Sequence, residues 1–165
     1  LETPYKVTSY ALKKAKEKGL AIILNPAPAC KIEDNDFKLI DFFTPNETEA
    51  EFYLNKKIES KKDIKSASEE FLKKGIKNVV MTLGEKGCYF ANEKESFFIN
   101  AFNLREPVLD TTGAGDAFNG ALAVGLSKDL DIKEALTFAN QVAAISTTKQ
   151  GAAASMPSLE DIKNY

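Results

Sequence analysis

Residues 110–120 read DTTGAGDAFNG, with two carboxylates, Asp110 and Asp116, six positions apart. Gly113 and Gly115 admit backbone angles closed to other residues and leave amide N–H groups uncovered. At a helix N-terminus, those groups and the helix dipole make a site for anions. Asp116 falls in the first turn of the helix that follows. Helix-end potential favours its ionised form, and burial would oppose it. A carboxylate beside an anion cradle is a poor pairing for binding alone, because like charges repel. The pairing works when a neutral hydroxyl lies between the two. Asp116 then takes the hydroxyl's proton as the oxygen attacks phosphorus, and residues 113–115 hold the charge on the transferring group. A plainer reading fits equally well: Asp116 caps a helix and the glycines make a tight turn. The stretch is neither a Walker A loop nor a G-x-G-x-x-G fingerprint, because its third glycine comes too late.

Two further loops can carry chemistry. In TPNETEAE (44–51), Asn46 and Glu49 are three apart at a helix start and share a face. They suit a capping pair. They equally suit a magnesium shell ordered by Glu49, directly or through water, with Asn46 touching phosphate. In TLGEKG (82–87), the glycines would let a nucleotide lie against the backbone, although a plain hairpin turn accounts for this stretch alone.

These residues need elements to hold them. The 165 residues suffice for one domain with its own core, and 44% are hydrophobic. A net charge of −2, with both signs interleaved, excludes a dedicated nucleic-acid surface and a polybasic membrane anchor. No apolar run reaches the roughly 18–20 residues that span a bilayer. No signal peptide is visible, and the chain opens LETPYK without a methionine. Cys30 and Cys88 match no metal or redox spacing and read as reduced, buried or half-buried thiols, which suits a cytoplasmic setting. There is no histidine. Ser-His-Asp, Cys-His and imidazole-ligated zinc chemistries are therefore excluded for this chain acting alone, and acid–base work falls to carboxylates, lysines or tyrosines.

Periodicity places a helix over 5–18, ending at Gly19. The apolar runs LAIIL (20–24), LIDFF (39–43) and NVVMTL (78–83) read as parallel strands buried on both faces. Helices are expected over 46–54, 61–74, 113–126 and 132–149, and a hairpin over 88–91 and 96–99 around NEKE. Strands alternating with helices give an α/β fold with a mostly parallel sheet, in one domain spanning 1–165. Ligands of such sheets sit outside the carboxyl ends of the strands, here Asn25, 44–46 and 82–84.

NPAPA (25–29), TPNETEAE (44–51), VVMTLGEKG (79–87), DTTGAGDAFNGALAVGL (110–126) and GAAASMP (151–157) occur in an order that resembles the PfkB-type carbohydrate kinases. The resemblance covers essentially the whole chain, and DTTGAGDAFNG is its most specific part. NPAPA and LETP lean towards the members that act on D-ribose. The resemblance implies a Rossmann-type sheet flanked by helices and an ATP-dependent sugar kinase. In it, Asp116 is the base and also contacts the substrate, and Gly113, Ala114 and Gly115 form the anion hole for the γ-phosphate. It further implies that Asn46 and Glu49 serve phosphate and Mg²⁺, the metal through water. Thr82 and Gly84 contact nucleotide, Asn140 lies beside the adenine, and Glu2 contacts the sugar. Asp110 with carbonyls of Thr112 and near Gly151, and Ser155, matches a site for K⁺. A bound K⁺ would fix the loop and add positive potential without entering the chemistry.

Members of that family are about twice as long. By the resemblance, this chain is a truncated, C-terminal part that lacks the N-terminal half with most sugar contacts and the small β-sheet lid. Lost orientation costs many powers of ten in rate, so the chain alone is expected to be nearly inactive. An exposed sheet edge is expected to weaken it. The expected ligands are D-ribose and ATP, with the parent enzyme a homodimer. Other kinases of the family (for fructose, a deoxysugar or a nucleoside) and a non-catalytic nucleotide-binding fragment are the alternatives.

Overall fold

The apolar runs form the sheet, but in shorter pieces than their length suggests. The computed structural model describes residues 1–165, which group into two units: Leu1–Leu83 with Tyr89–Phe98, and Gly84–Cys88 with Ile99–Tyr165. The five-stranded sheet lies almost wholly in the first. Its order is β1 (Ile23–Leu24), β2 (Phe42–Phe43), β3 (Asn78–Thr82), β4 (Cys88–Asn92) and β5 (Ser96–Ile99). β1, β2 and β3 are parallel, with Ile23 opposite Phe42, Leu24 opposite Phe43 and Phe43 opposite Val79. β4 and β5 meet at the expected turn, where Asn92 Oδ1 accepts from the amides of Lys94 and Glu95. The result is a mixed sheet.

Strand ladders start late for identifiable reasons. Residues 20–21 are exposed, Leu20 to 56%, so LAIIL is not buried along its length. β1 is an edge strand with β2 alone beside it. Just before it, the Ile22 amide donates to Asp41 Oδ2 at 3.0 Å, and that carboxylate also holds Lys77 at 2.7 Å and Lys16 at 3.4 Å. In LIDFF, Leu39 and Ile40 are spent on closing the short helix α2 (Asp34–Phe37). Their amides donate to Asp36 and Phe37 carbonyls at 3.1 and 3.2 Å. Four residues give no helical period, so α2 is not visible in the sequence.

The first unit packs α1 (Tyr5–Glu17), α2, α3 (Glu47–Leu54) and α4 (Lys61–Lys73) with the sheet. Ile64, Ala67 and Phe71 line one face of α4 at helical spacing and join Phe43, Val79 and Met81 in the core. Phe43 sits at its centre, edge-to-face with Phe71 (5.1 Å), Tyr53 (5.7 Å) and Phe37 (5.9 Å).

The second unit is built on α5 (Ala114–Ser127), α6 (Ile132–Ser146) and the short α7 (Leu159–Lys163). A Cβ on Gly125 would lie 3.0 Å from Ala135 Cβ, so glycine allows α5 and α6 to approach closely. Phe118, Leu122, Leu136, Ala139 and Ile145 are buried. α6 ends three residues short of its expected limit. The Thr147 carbonyl, instead of continuing the helix, accepts from the amides of Leu109 (2.8 Å) and Asp110 (3.2 Å). No helix is long and apolar enough to cross a membrane.

Candidate active site

In the first unit the chemistry-bearing residues collect at the carboxyl ends of β1–β3. The Thr82 amide donates to the Pro45 carbonyl at 2.9 Å, and Asn46 and Thr82 form a parallel bridge, so the ends of β2 and β3 lie side by side. Asn46 is the N-cap of α3, in a true capping box: Asn46 Oδ1 accepts from the Glu49 amide (2.8 Å), and Glu49 Oε2 accepts from the Asn46 amide (2.9 Å). Asn46 Nδ2 adds a third bond to Glu49 Oε1 at 3.1 Å. Burial raises the Glu49 carboxyl above its ordinary value, opposed by the Asn46 amide. Capping therefore uses both residues, yet each Glu49 oxygen keeps a further lone pair. The Leu1 nitrogen donates to the Asn25 carbonyl at 3.0 Å, which sets exposed Glu2 next along the chain from the end of β1.

In the second unit the site is the start of α5. Gly113 is its N-cap with φ 80°, and no side chain caps the helix. A Cβ here would stand 3.1 Å from Ala152 Cα and Cβ and 3.3 Å from Met156 Cε, at a φ that side chains disfavour. The Ala114 amide donates to the Thr111 carbonyl at 3.2 Å, and exposed Asp116 lies in the first turn.

The loop before α5 is tied to a distant one. Asp110 Oδ1 accepts from the Thr112 amide and Oδ2 from the Gly151 amide, both at 2.9 Å. Hydrogen bonds from Thr112, then from Gly151, hold its carboxyl down to about 2. Ser155, fully buried, donates from Oγ to the Ala152 carbonyl at 2.7 Å. Asp110 thus meets Thr112 and Gly151, while Ser155 is bonded within the loop that follows Gly151. Asn140 is buried on α6 and bonds to Asn100 and Cys88, contacts that no sequence spacing announces. Gly84 opens the 3₁₀ turn Gly84–Lys86 with φ 55°, and a Cβ there would meet nothing within 4 Å. Gly87 is the tightest glycine, a constraint that its sequence context does not announce. Its Cβ would lie 2.1 Å from the Ile99 carbonyl.

The model of the pfkB family carbohydrate kinases matches residues 2–159. The chain belongs to this family. Across all of its length it is 39% identical to the ribokinase of Haemophilus influenzae and 34% identical to the deoxyribokinase of Salmonella typhi. It covers 53% and 54% of those proteins. The structure of Arabidopsis thaliana ribokinase complexed with ribose and ATP superposes with a TM-score of 0.92 at 29% identity, over 98% of this chain and 52% of that one. This pfkB-family chain therefore spans about half the length of the relatives it matches, and its sheet and helices are those of the ribokinase-like fold.

Two ions implied by the family can be tested against these residues. No three carboxylates, cysteines or histidines cluster to form a protein cage for a metal. The half-buried Glu49 carboxylate is the residue that would order the waters of a bound Mg²⁺. Of the residues implied for K⁺, Asp110 accepts the Thr112 and Gly151 amides and Ser155 donates to the Ala152 carbonyl.

Proposed function

We propose that this chain is the nucleotide-side half of an ATP-dependent sugar kinase whose acceptor is D-ribose, giving ribose 5-phosphate and ADP. The observation that carries the reading is the start of α5, a helix begun by an uncapped glycine at φ 80° with an exposed carboxylate, Asp116, in its first turn. Asp116 takes the proton of the sugar's 5-hydroxyl as that oxygen attacks the γ-phosphorus. The amides of Gly113, Ala114 and Gly115 receive the charge on the transferring phosphoryl group. Glu49 would order the water shell of Mg²⁺, an ion that would supply positive charge against the phosphates, and Asn46 touches phosphate. Thr82, Gly84 and Asn140 line the nucleotide, and Glu2 reaches the sugar. Asp110, the carbonyl of Thr112, carbonyls near Gly151 and Ser155 would hold K⁺, which would add positive potential at the loop. The ribokinase relative and the ribokinase structure with ribose and ATP support this choice of substrates.

The deoxyribokinase relative supports a second reading, in which the acceptor is a deoxysugar. A panel of sugars assayed with the complete enzyme separates the two. The base assignment is tested by Asp116→Asn in the complete enzyme. The expected result is a kcat lower by several powers of ten with ATP affinity nearly intact, and near-normal turnover would overturn it. By itself the chain is expected to bind nucleotide but to turn over little sugar. Calorimetry of ATP with this chain checks the first part.

A further inference from the structure

The loop of residues 150–157 backs the start of α5 at two points. Its Gly151 amide donates to Asp110 Oδ2 at 2.9 Å. Its Ala152 and Met156 atoms stand 3.1 and 3.3 Å from where a Cβ of Gly113 would lie, so they pack against that N-cap. The loop's own ends are held by α7. Lys149, ahead of the loop, pairs with Asp161, beyond it, at 3.3 Å. Asp161 is fixed in turn by the capping box of Ser158, whose amide donates to Asp161 Oδ2 at 2.8 Å. Past α7, Tyr165 turns back onto the loop that leads into Asp110. Its ring meets Phe102 edge-on, with centroids 6.2 Å apart. Its hydroxyl donates to the Glu106 carboxylate, which holds the phenol above its ordinary value, and lies within reach of Thr148. α7 buries none of its own side chains, and Leu159 is 65% exposed. Core burial therefore does not account for its place. Its contacts go to the two loops that frame the start of α5.

We propose that Tyr165 and Lys149 are positioning residues: with α7 they form a clasp that ties the 102–110 and 150–157 loops together and so keeps Gly113 to Asp116 in the arrangement that phosphoryl transfer needs. The inference rests on the reading of that helix start as the phosphoryl-transfer site. Groups that stabilise a transition state act by being in place before the reaction. A small displacement of them, caused by a change outside the site, lowers the rate. Residues of the first unit that bind nucleotide are not part of the clasp, so its loss should appear in kcat and not in KM.

The test joins hydrogen exchange of this chain to steady-state kinetics of the complete enzyme. In Tyr165→Ala, exchange at Thr112 and Gly151 should quicken by about two- to tenfold, the worth of an aromatic pair. Leu122 and Ile145, within α5 and α6, should keep their rates. In the complete enzyme, kcat with ribose should fall by a similar factor while KM for ATP and for ribose stays unchanged. Should Tyr165→Ala fail to fold, Lys149→Glu serves instead. It is a half-exposed change that sets like charge against Asp161, and it should act in the same direction by a few-fold. Lys149→Arg, which keeps the pair, should behave as the unaltered protein. Unchanged exchange at Thr112 and Gly151 would overturn the clasp. So would equal acceleration at every amide, which marks general destabilisation, or local loosening with kcat unchanged; in these cases the kinase reading stands. If the unaltered complete enzyme phosphorylates no sugar, the proposed function is overturned and this inference goes with it.

Discussion

The carboxylate of Asp110 accepts a hydrogen bond from the amide of Gly151 at 2.9 Å, across 41 positions of chain. Its other oxygen holds the Thr112 amide at the same distance. One side chain therefore fastens the loop that starts α5 to the loop that follows α6. The folded carboxyl, at about 2, titrates below its ordinary value of 3.8. The unfolded chain then binds more protons in this range, so stability rises with pH. The contribution is complete above the ordinary carboxyl value and is lost as pH falls from about 4 to about 2. Hydrogen exchange at Gly151 and Thr112 should accelerate across that window. In Asp110→Asn it should be fast throughout and independent of pH after correction for the intrinsic rate.

Gly113→Ala should destabilise the second unit by about 1–3 kcal/mol, the range for a residue forced into left-handed backbone. The Ala152 and Met156 contacts at 3.1–3.3 Å add crowding to that strain. Chemical denaturation reads the effect. Gly120→Ala is the control, since a Cβ at Gly120 meets nothing within 4 Å, and it should be neutral or stabilising because it lies inside a helix.

Glu49→Gln keeps the capping box, because glutamine at that position accepts the same backbone bond. Stability should change by less than about 1 kcal/mol near neutral pH. The folded Glu49 carboxyl is raised by burial, so its native state binds more protons than the unfolded chain and its contribution falls as pH rises through that raised value. The variant should lose this dependence. It should also narrow the difference between Mg·ATP and free ATP affinity. An unchanged difference would remove Glu49 from the metal's shell.

Phe71→Ala should cost about 3–5 kcal/mol, because it removes a fully buried ring packed edge-on against Phe43. Thermal melting followed by near-ultraviolet dichroism measures it. Lys65→Ala, an exposed change on the same helix, should leave the midpoint within a degree or two.

Much of this was legible in the chain. The apolar runs announced the parallel strands, and Asn46 with Glu49 announced a helix start, since the capping box is local and depends on spacing alone. DTTGAGDAFNG announced both the glycine that only a positive φ explains and the carboxylate one turn later. Tertiary structure decided where those elements stop. β2 begins at Phe42 because α2 consumes Leu39 and Ile40, and α6 ends at Ser146 because the Thr147 carbonyl is claimed by Leu109 and Asp110. It also decided which polar groups meet. Asp110 with Gly151, and Asn140 with Asn100 and Cys88, are separated by 41, 40 and 52 positions. A sequence states the period and the turn chemistry of each segment. Hydrogen bonds between segments follow only when burial forces every amide and carbonyl to find a partner, and that choice is made by the folded chain as a whole.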